Sequence, residues 1–296
     1  MRNVIVFVCA LIVGFQALAA EKLNVVATLP VLADIARKVG GDAVEVKSLA
    51  QPNQDPHFVI PVPTLMKKAR DADVFIENGL SLELWAQKVV DGSANHRIQP
   101  GQPGRIVASK GIATREVPSQ MSREWGDVHP GGNPHVWLDP ENAKVIARNI
   151  SEGLSKVDPA HKSVYETGLK KFVADIDARM PGWMKKAESL KNKSLITYHK
   201  SFIYFATRFG FTVPMEIEEK PGLTPSARHR DELIALMKRL NVKTIALELF
   251  YDRTAADYIA ARADAKVVPV PIDVGADPAA SDYFSLIDLL VTRLSQ

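Results

Sequence analysis

One amphipathic pattern of about thirty residues constrains the fold of this 296-residue chain more than any other feature. Apolar side chains recur at spacings of three and four residues from residue 158 to residue 190. This periodicity predicts one helix that is much longer than the average helix of a globular protein. Asp158-Pro159 is a helix-start signal, and Pro181 inside the pattern predicts a kink. Because such a helix can pack against two halves of a chain at once, we expect a rigid strut between them.

Short apolar runs alternate with amphipathic runs on both sides of this pattern. The predicted strands are 23–28, 44–49, 74–77, 105–109, 194–198, 213–217, 243–249 and 266–272, with helices such as 31–39, 82–90 and 140–156 between them. This alternation predicts an α/β fold of two lobes, each a mostly parallel sheet flanked by helices, joined by the one long helix. The predicted division is a signal peptide (1–20), an N-terminal lobe (21–157), the linking helix (158–190) and a C-terminal lobe (191–296).

The first twenty residues have the features of a secretory signal peptide. Arg2 precedes a continuous apolar run, and Ala17-Leu18-Ala19 offers the small residues that a signal peptidase reads. The mature chain is expected to begin near Ala20 or Glu21 and to be periplasmic. Cys9, the one cysteine, lies inside the apolar run, so we expect neither a lipid anchor nor a disulfide.

Composition restricts the partners of the mature chain. A net charge of +3 with both signs interspersed, and no basic cluster, argues against nucleic-acid binding. Outside the signal peptide no apolar stretch reaches membrane length, so we expect a soluble protein. The expected oligomeric state is a monomer. With 46% hydrophobic residues, each lobe can bury a core of ordinary size.

Three histidines occupy comparable positions near strand ends. His57 follows a predicted strand, His135 precedes Asp139-Pro140, and His199 ends another strand. In open α/β sheets, residues beyond the carboxyl ends of strands can meet in one crevice. Asp273 lies at the end of the last predicted strand. Three imidazoles and one carboxylate suit a divalent transition metal, with zinc first, whereas calcium and magnesium prefer oxygen ligands.

The spacing alone does not define a metal site, because the chain has no local signature such as HExxH. The simpler interpretation of the stretch around His135 is a strand-to-helix junction. In that interpretation Asp139 is the N-cap, Pro140 is the first helical residue, and the histidine is an ordinary polar neighbour.

Two further residues have open roles. His129 lies in a polar, proline- and glycine-bearing segment, 111–132, of a length that is usually functional or moving, and it is a candidate for metal capture. Glu248 lies inside an apolar strand, where an unpaired carboxylate is costly. It either orients a ligand histidine or forms a salt bridge with a nearby cation. His96, His161 and His229 have polar surroundings typical of surface residues.

The chain resembles the metal-binding solute receptors of ATP-driven importers, of the ZnuA/TroA type. The resemblance rests on five segments in the expected order: 23–30, Gln54-Asp55-Pro56-His57, 133–140, Tyr198-His199-Lys200-Ser201-Phe202 and the strand ending at Asp273. It implies two α/β lobes joined by a single long helix, with a metal ion in the cleft between them. The ligand positions of the family fall on His57, His135 and His199, and the fourth falls on Asp273 with a gap before Tyr283.

The resemblance also bears on the metal and the partners. Manganese members of the family tend to have a carboxylate where this chain has His199, which favours zinc. Many zinc members carry a long His-rich loop, but here that region holds only His129, as in the short-loop zinc receptors of the AztC kind. The expected function is therefore a non-enzymatic periplasmic receptor that binds one Zn²⁺ and delivers it to an inner-membrane ABC permease. A periplasmic zinc metallochaperone is an additional candidate partner.

Three alternatives are compatible with the sequence. The first is a manganese receptor of the same family. The second is a secreted zinc-dependent hydrolase that uses the three histidines, a bound water and Glu248 as base. The third is a surface adhesin of the same fold.

Overall fold

A computed structural model describes residues 21–118, 129–220 and 222–296. The predicted signal peptide, residues 1–20, lies outside the described residues, as do residues 119–128 of the polar segment before His135. Within the described ranges, no helix combines the length and the apolar character needed to cross a membrane.

The N-terminal lobe is built on a parallel sheet of four strands in the order β2-β1-β3-β4. The strands are β1 (Leu23–Ala27), β2 (Val44–Ser48), β3 (Val74–Glu77) and β4 (Arg105–Val107). Its helices are α1 (Pro30–Gly40), α2 (Pro63–Arg70), α3 (Ala86–Ser93) and α4 (Pro140–Val157). Val25, Val26 and Ala27 in the central strand β1 are all buried, as expected where helices cover both faces of a parallel sheet.

The predicted helix 82–90 begins later than the periodicity suggested, at Ala86. Gly79, Leu80 and Ser81 before it have φ angles of 87°, 57° and 62°, in the left-handed region. Such angles are incompatible with a right-handed helix, so the chain turns through 79–85 before α3 starts.

The long helical pattern is confirmed as α5 (Lys162–Lys186), 25 residues that contain Pro181. A 3-10 turn precedes it at Pro159–His161 and another follows at Ala187–Leu190. α5 packs against α1 and α4. Gly168 allows the close approach to α1, because a Cβ atom there would lie 2.2 Å from the carbonyl oxygen of Val39.

The C-terminal lobe has a parallel sheet of three strands in the order β5-β6-β7. The strands are β5 (Ile196–Thr197), β6 (Thr244–Glu248) and β7 (Lys266–Val270). Its helices are α6 (Ile203–Phe209), α7 (Ala227–Leu240), α8 (Thr254–Ala263) and α9 (Tyr283–Ser295). The predicted strand 213–217 is wrong, since only isolated bridges form there, at Thr212 and Glu216. Pro214 inside it has no N–H to donate to a sheet.

The larger hydrophobic core crosses the boundary between the two sheets. It includes β1 and α1, the buried face of α5, and side chains of α6 and α9 from the C-terminal part of the chain. A second, smaller core lies around β5, β6, α7 and α8. The boundaries 21–157, 158–190 and 191–296 remain a prediction, because they follow the two sheets and not the two cores. The shared core indicates that the lobes are held together by apolar packing.

Candidate metal site

His57 and His135 of the N-terminal lobe lie together with His199 of the C-terminal lobe. Each histidine has one ring nitrogen in this group, and the three nitrogens lie within 4.8 Å of one another. The ring centroid of His57 is 5.3 Å from that of His135 and 5.1 Å from that of His199, and the last two rings are 5.3 Å apart. The residues that the sequence singled out from three distant segments therefore converge on one point.

The two histidines of the N-terminal lobe are held by the same local structure. In Asp55-Pro56-His57, Asp55 Oδ1 accepts hydrogen bonds from the backbone N–H of His57 (3.0 Å) and from its Nδ1 (2.7 Å). In Asn133-Pro134-His135, Asn133 Oδ1 accepts the corresponding two bonds, both at 3.0 Å. We call this arrangement the Asx-Pro-His clip.

The clip fixes the tautomer of each ring. An Oδ1 atom of this kind can only accept, so Nδ1 must carry the proton and Nε2 is left with its lone pair. In the described part of the chain, Nε2 of His57 and of His135 is buried without a hydrogen-bond partner. A buried nitrogen lone pair without a donor is costly unless something binds it, and a metal ion is a partner that such imidazole nitrogens suit.

His199 is oriented from the C-terminal lobe by a different residue. It lies two residues beyond β5, and its Nδ1 is 2.6 Å from Oε2 of Glu218, which is also buried. The other oxygen of Glu218 accepts the backbone N–H of Gly222. The carboxylate therefore donates nothing, and the ring of His199 presents Nε2, as the other two rings do.

Residues between β3 and α3 donate hydrogen bonds to both clips. Trp85 Nε1 donates to the carbonyl oxygen of Pro56 at 2.8 Å, and Asn78 Nδ2 donates to that of Pro134 at 2.9 Å. Glu83 in turn accepts the backbone N–H of Asn78 at 2.6 Å. The left-handed turn at 79–81 thus brings two donors to the two proline carbonyls.

Burial keeps the rings of His135 and His129 neutral. It lowers the pKa of His135 well below the usual histidine value, and the neighbouring His199, His57 and His129 lower it further. Burial, followed by His57 and His199, lowers the pKa of His129 to about 4. Unprotonated imidazole is the form that binds metal, so these two rings are ready for a ligand at neutral pH.

The segment after His135 is a 3-10 turn, Val136–Leu138, and the predicted strand-to-helix junction is wrong in this respect. The predicted N-cap is confirmed, since Asp139 Oδ1 accepts the N–H of Glu141 at 3.0 Å. Asp139 also forms a two-point ion pair with Arg208 of α6, at 2.7 and 3.0 Å. This pair ties the start of α4 to the other lobe.

Asp273 is buried, but it is not part of the group in which the three histidines bring their ring nitrogens together. Its Oδ1 accepts the backbone N–H groups of Val31 (2.6 Å) and Val274 (2.8 Å). Val31 lies in the first turn of α1, where an acceptor is favoured. Burial raises the pKa of Asp273 well above the usual value of an aspartate. Its assignment as the fourth ligand remains a prediction.

His129 lies beside the three histidines. Its ring centroid is 5.3 Å from that of His57, and neither ring nitrogen has a hydrogen-bond partner among the described residues. Burial is the main effect on the pKa of His129 and lowers it, while the backbone of Leu80 and of Ser81 acts in the opposite direction. The position is compatible with the predicted capture role, which remains a prediction.

Glu248 forms none of the salt bridges among the described residues, and it contacts the ligand stretch at Ser201 and at the backbone of His199. It is fully buried, its Oε1 accepts the hydroxyl of Ser201 at 2.7 Å, and no cation pairs with it in the described ranges. Burial raises its pKa to about 8. The orientation of the His199 ring comes from Glu218 instead, while Glu248 holds the turn that follows this histidine.

Sequence reasoning missed the three residues that orient the rings. For Asp55 and Asn133 a signal existed, namely an Asx residue two positions before a histidine with proline between them, twice in one chain. For Glu218 there was none, because it lies 19 residues after its histidine in a stretch predicted to be a strand and loop.

The chain is similar to known proteins over most of its length. Residues 25–296 match the family described as zinc-uptake complex component A, periplasmic. Among curated relatives, the metal ABC transporter substrate-binding lipoprotein ScbA of Streptococcus cristatus is 30% identical over 273 residues, 85% of this chain and 82% of that protein. The iron ABC transporter substrate-binding lipoprotein MtsA of Streptococcus pyogenes serotype M1 is 30% identical over 77% of this chain and 72% of its own length. The manganese ABC transporter substrate-binding lipoprotein PsaA of Streptococcus pneumoniae is 30% identical over 65% and 61%.

Solved structures share the fold over almost all of the chain. A crystal structure of ZnuA has a TM-score of 0.77 at 23% identity, and covers 93% of this chain and 98% of its own. A zinc-bound ZnuA deletion mutant has a TM-score of 0.78 at 26% identity, with coverages of 93% and 97%. The predicted α/β fold is confirmed.

The family consists of solute receptors of importers and not of enzymes, which removes the hydrolase alternative. The match over residues 25–296, with the relative aligned over most of both lengths, shows that this chain belongs to the ZnuA family of metal ABC transporter substrate-binding proteins.

Proposed function

We propose that this receptor captures one zinc ion with Nε2 of His57, His135 and His199 and delivers it to the membrane permease of an ABC importer. One observation carries the proposal. All three Nδ1 atoms are engaged by oxygen acceptors, so Nε2 is the nitrogen that each ring has available for a metal ion in the same small space. Rigid orientation of this kind is what metal-binding histidines require.

The chemistry of the donor set favours zinc among the metals that relatives are named for. Zinc binds three histidines readily in a tetrahedral shell, whereas manganese prefers carboxylate and carbonyl oxygens. Two carboxylates that contact the histidines, those of Asp55 and Glu218, are used to orient rings. The curated relatives named for manganese and iron support a metal receptor in general. The assignment to zinc therefore rests on the three nitrogens.

We assign the fourth position to Asp273 and the capture role to His129. A fourth protein ligand closes the shell and leaves no bound water to activate, as suits transport. Oδ1 of Asp273 already serves two amides, so coordination would use the other oxygen or a turn of the side chain. His129 is the competing candidate for the fourth ligand position, because its ring is next to that of His57.

Metal analysis of the purified protein tests the proposal. Protein prepared without added metal is expected to contain about one zinc per chain, and His199→Ala is expected to lose it. His161→Ala is a matched control, since the Nδ1 atom of His161 also lies 2.6 Å from an aspartate oxygen, of Asp158, but His161 belongs to the 3-10 turn before α5 and is not part of the three-histidine group. A parent without zinc, or equal zinc in His199→Ala, would contradict the assignment. A parent that prefers manganese in direct competition would make it a manganese receptor.

A second comparison separates the candidates for the fourth position. Asp273→Asn keeps an oxygen acceptor for Val31 and Val274 but removes the charge, so zinc affinity should fall if the carboxylate binds the metal. His129→Ala should slow zinc capture and leave the equilibrium affinity nearly unchanged. The reverse pattern would exchange the two roles.

We further propose that residues 1–20 are cleaved on export and that the mature receptor acts as a periplasmic monomer. The support is the apolar run before Ala17-Leu18-Ala19 and the extracytoplasmic role of the family. The mass of the exported protein tests it, because cleavage predicts a start near Ala20 or Glu21 and a lipid would add mass. Pull-down of the periplasmic protein with and without zinc tests for a metallochaperone partner.

A further inference from the structure

We infer that Asn133 is a positioning residue that fixes the distance between the ligand histidines of the two lobes. The inference rests on the proposed function and concerns how the site holds its geometry. Asn133 is buried (6% exposed), and its Oδ1 holds the ring of His135. The amide nitrogen of Asn133 also donates a hydrogen bond to the other lobe, whereas the carboxylate of Asp55 has no such donor.

Asn133 Nδ2 donates to the carbonyl oxygen of Lys200 at 2.7 Å and to Oε2 of Glu116 at 2.8 Å. Lys200 immediately follows His199 in the chain. One side chain therefore binds the ring of a ligand from the N-terminal lobe and the backbone next to a ligand from the C-terminal lobe. The two contacts are on opposite ends of a planar amide, whose length is fixed by covalent bonds.

The backbone of Asn133 is anchored at the same time. Its N–H donates to the carbonyl of Arg115 at 2.8 Å, and its carbonyl accepts the hydroxyl of Tyr204 at 2.7 Å. The oxygens of Lys200 and Glu116 can only accept, so the amide nitrogen of Asn133 must face them and its oxygen must face His135. Every polar group of Asn133 then has a partner. Asn133 thus cannot turn without breaking several buried hydrogen bonds.

Only an amide of this length fits both contacts. An aspartate could still accept from His135 but would place an oxygen against the carbonyl of Lys200 and the carboxylate of Glu116. An alanine would lose both ends. Because metal ligands must be held within about 0.5 Å of their working positions, loosening this tie should alter the metal geometry even when all three histidines remain.

The experiment compares Asn133→Asp and Asn133→Ala with Tyr204→Phe as the control. Tyr204→Phe removes a hydroxyl that bonds the backbone of Asn133 and of Arg115 but leaves the amide contacts of Asn133 intact. A fourth protein, Asn133→Asp combined with Glu116→Gln, removes the repulsion with Glu116 and confines the change to Lys200, where a hydrogen bond is replaced by an oxygen–oxygen contact. It keeps the test valid if Asn133→Asp folds poorly.

Two quantities are measured on each full-length mature protein. One is the zinc dissociation rate in excess chelator. The other is the visible spectrum of the Co²⁺-substituted protein, which reports the coordination geometry. We expect zinc to leave about 10 to 100 times faster from Asn133→Asp, from Asn133→Ala and from the double variant. We also expect their Co²⁺ bands to shift or weaken, while Tyr204→Phe keeps the parent spectrum.

A zinc dissociation rate and a Co²⁺ spectrum like those of the parent in the double variant would overturn the inference, because the bond to Lys200 would then have no effect on the metal site. Equal changes in Tyr204→Phe would also overturn it, since general loosening of the backbone would suffice. Failure of the proposed function is distinguishable from both outcomes, because the parent itself would then bind neither Zn²⁺ nor Co²⁺.

Discussion

The two Asx-Pro-His clips share a local structure and differ in everything around it. At Asp55 the acceptor is a carboxylate whose side chain is 16% exposed, and the residue after its histidine, Phe58, is 54% exposed. At Asn133 the acceptor is a buried amide, and the residue after its histidine, Val136, is fully buried. The same three-residue motif therefore serves once at the rim of the site and once in the core of the protein.

The difference follows from the cost of burying charge. A carboxylate at the rim keeps contact with water, so Asp55 can stay ionised and make the ring of His57 a stronger metal donor. In the core an ionised group without a cation would be expensive, and the neutral amide of Asn133 avoids that cost. The amide gains a donor, which it uses to reach Lys200 in the other lobe. One clip therefore strengthens a ligand electrostatically, while the other fixes its position.

Removal of the histidines themselves should have the largest effect. We expect His135→Ala and His57→Ala each to weaken zinc binding by more than about 100-fold, the upper end of what changes outside the ligand shell cost. His135→Ala should cost more, because His135 is buried (1% exposed) and lies in the clip that is tied to the other lobe. Competition with a chelator of known affinity measures both. A larger loss for His57→Ala would reverse the ranking of the two clips.

The support common to both clips should appear in the pH dependence of stability. Burial raises the pKa of Glu83 to about 7, against the effect of the hydrogen bonds that it accepts from Thr28, Asn78 and Gly79. A raised pKa in the folded state means that the stabilising contribution is complete below the unfolded value of 4.5 and is lost as the pH rises through about 7. The apoprotein should therefore lose up to about 3 kcal/mol of unfolding free energy from this group between pH 5 and 8.

Glu83→Gln isolates this contribution. The glutamine amide faces the N–H of Gly79, so the variant carries a constant cost, but it lacks the titrating group. Glu248, whose pKa is raised to about 8, acts in the same direction, while the lowered pKa of His135 acts in the opposite one. The difference between variant and parent in denaturant unfolding across this pH range is therefore the quantity to measure. Glu166→Gln, at an exposed site, is the control, and equal slopes in Glu83→Gln and the parent would contradict the prediction.

The sequence predicted the histidines better than their surroundings, for a physical reason. Strand ends and helix starts are local patterns, so the chain order alone places His57, His135 and His199 at one edge. The partner of His199 is set by a stretch where Pro214 prevents a strand, and no local pattern reveals that Glu218 returns to the ring. The position of Glu248 in an apolar strand predicted its burial, but burial alone does not predict that its hydrogen-bond partner is Ser201.

Replacing the charge of the first clip should have a moderate effect. Asp55→Asn makes the two clips chemically alike, because it keeps an Oδ1 acceptor for His57 and removes the negative charge. We expect zinc affinity to fall about 10-fold, since the carboxylate that raises the donor strength of the ring is lost. Direct titration against a chelator measures this change. An unchanged affinity would show that the charge of Asp55 is irrelevant and that both clips act by orientation alone.

The smallest effect is expected at the contact that Asp55 makes across the cleft. Tyr251 places its hydroxyl 3.4 Å from Asp55 Oδ2, which is long for a hydrogen bond, while its ring stacks on Tyr198 with centroids 4.1 Å apart. Tyr251→Phe keeps the stack, so we expect the zinc dissociation rate to change by less than about threefold. Tyr258→Phe in α8 is the matched control. A change as large as that of Asn133→Asp would mean that the first clip is also tied to the other lobe. Both histidines of the N-terminal lobe would then be positioned from across the cleft, and the distinction between an electrostatic clip and a positional one would fail.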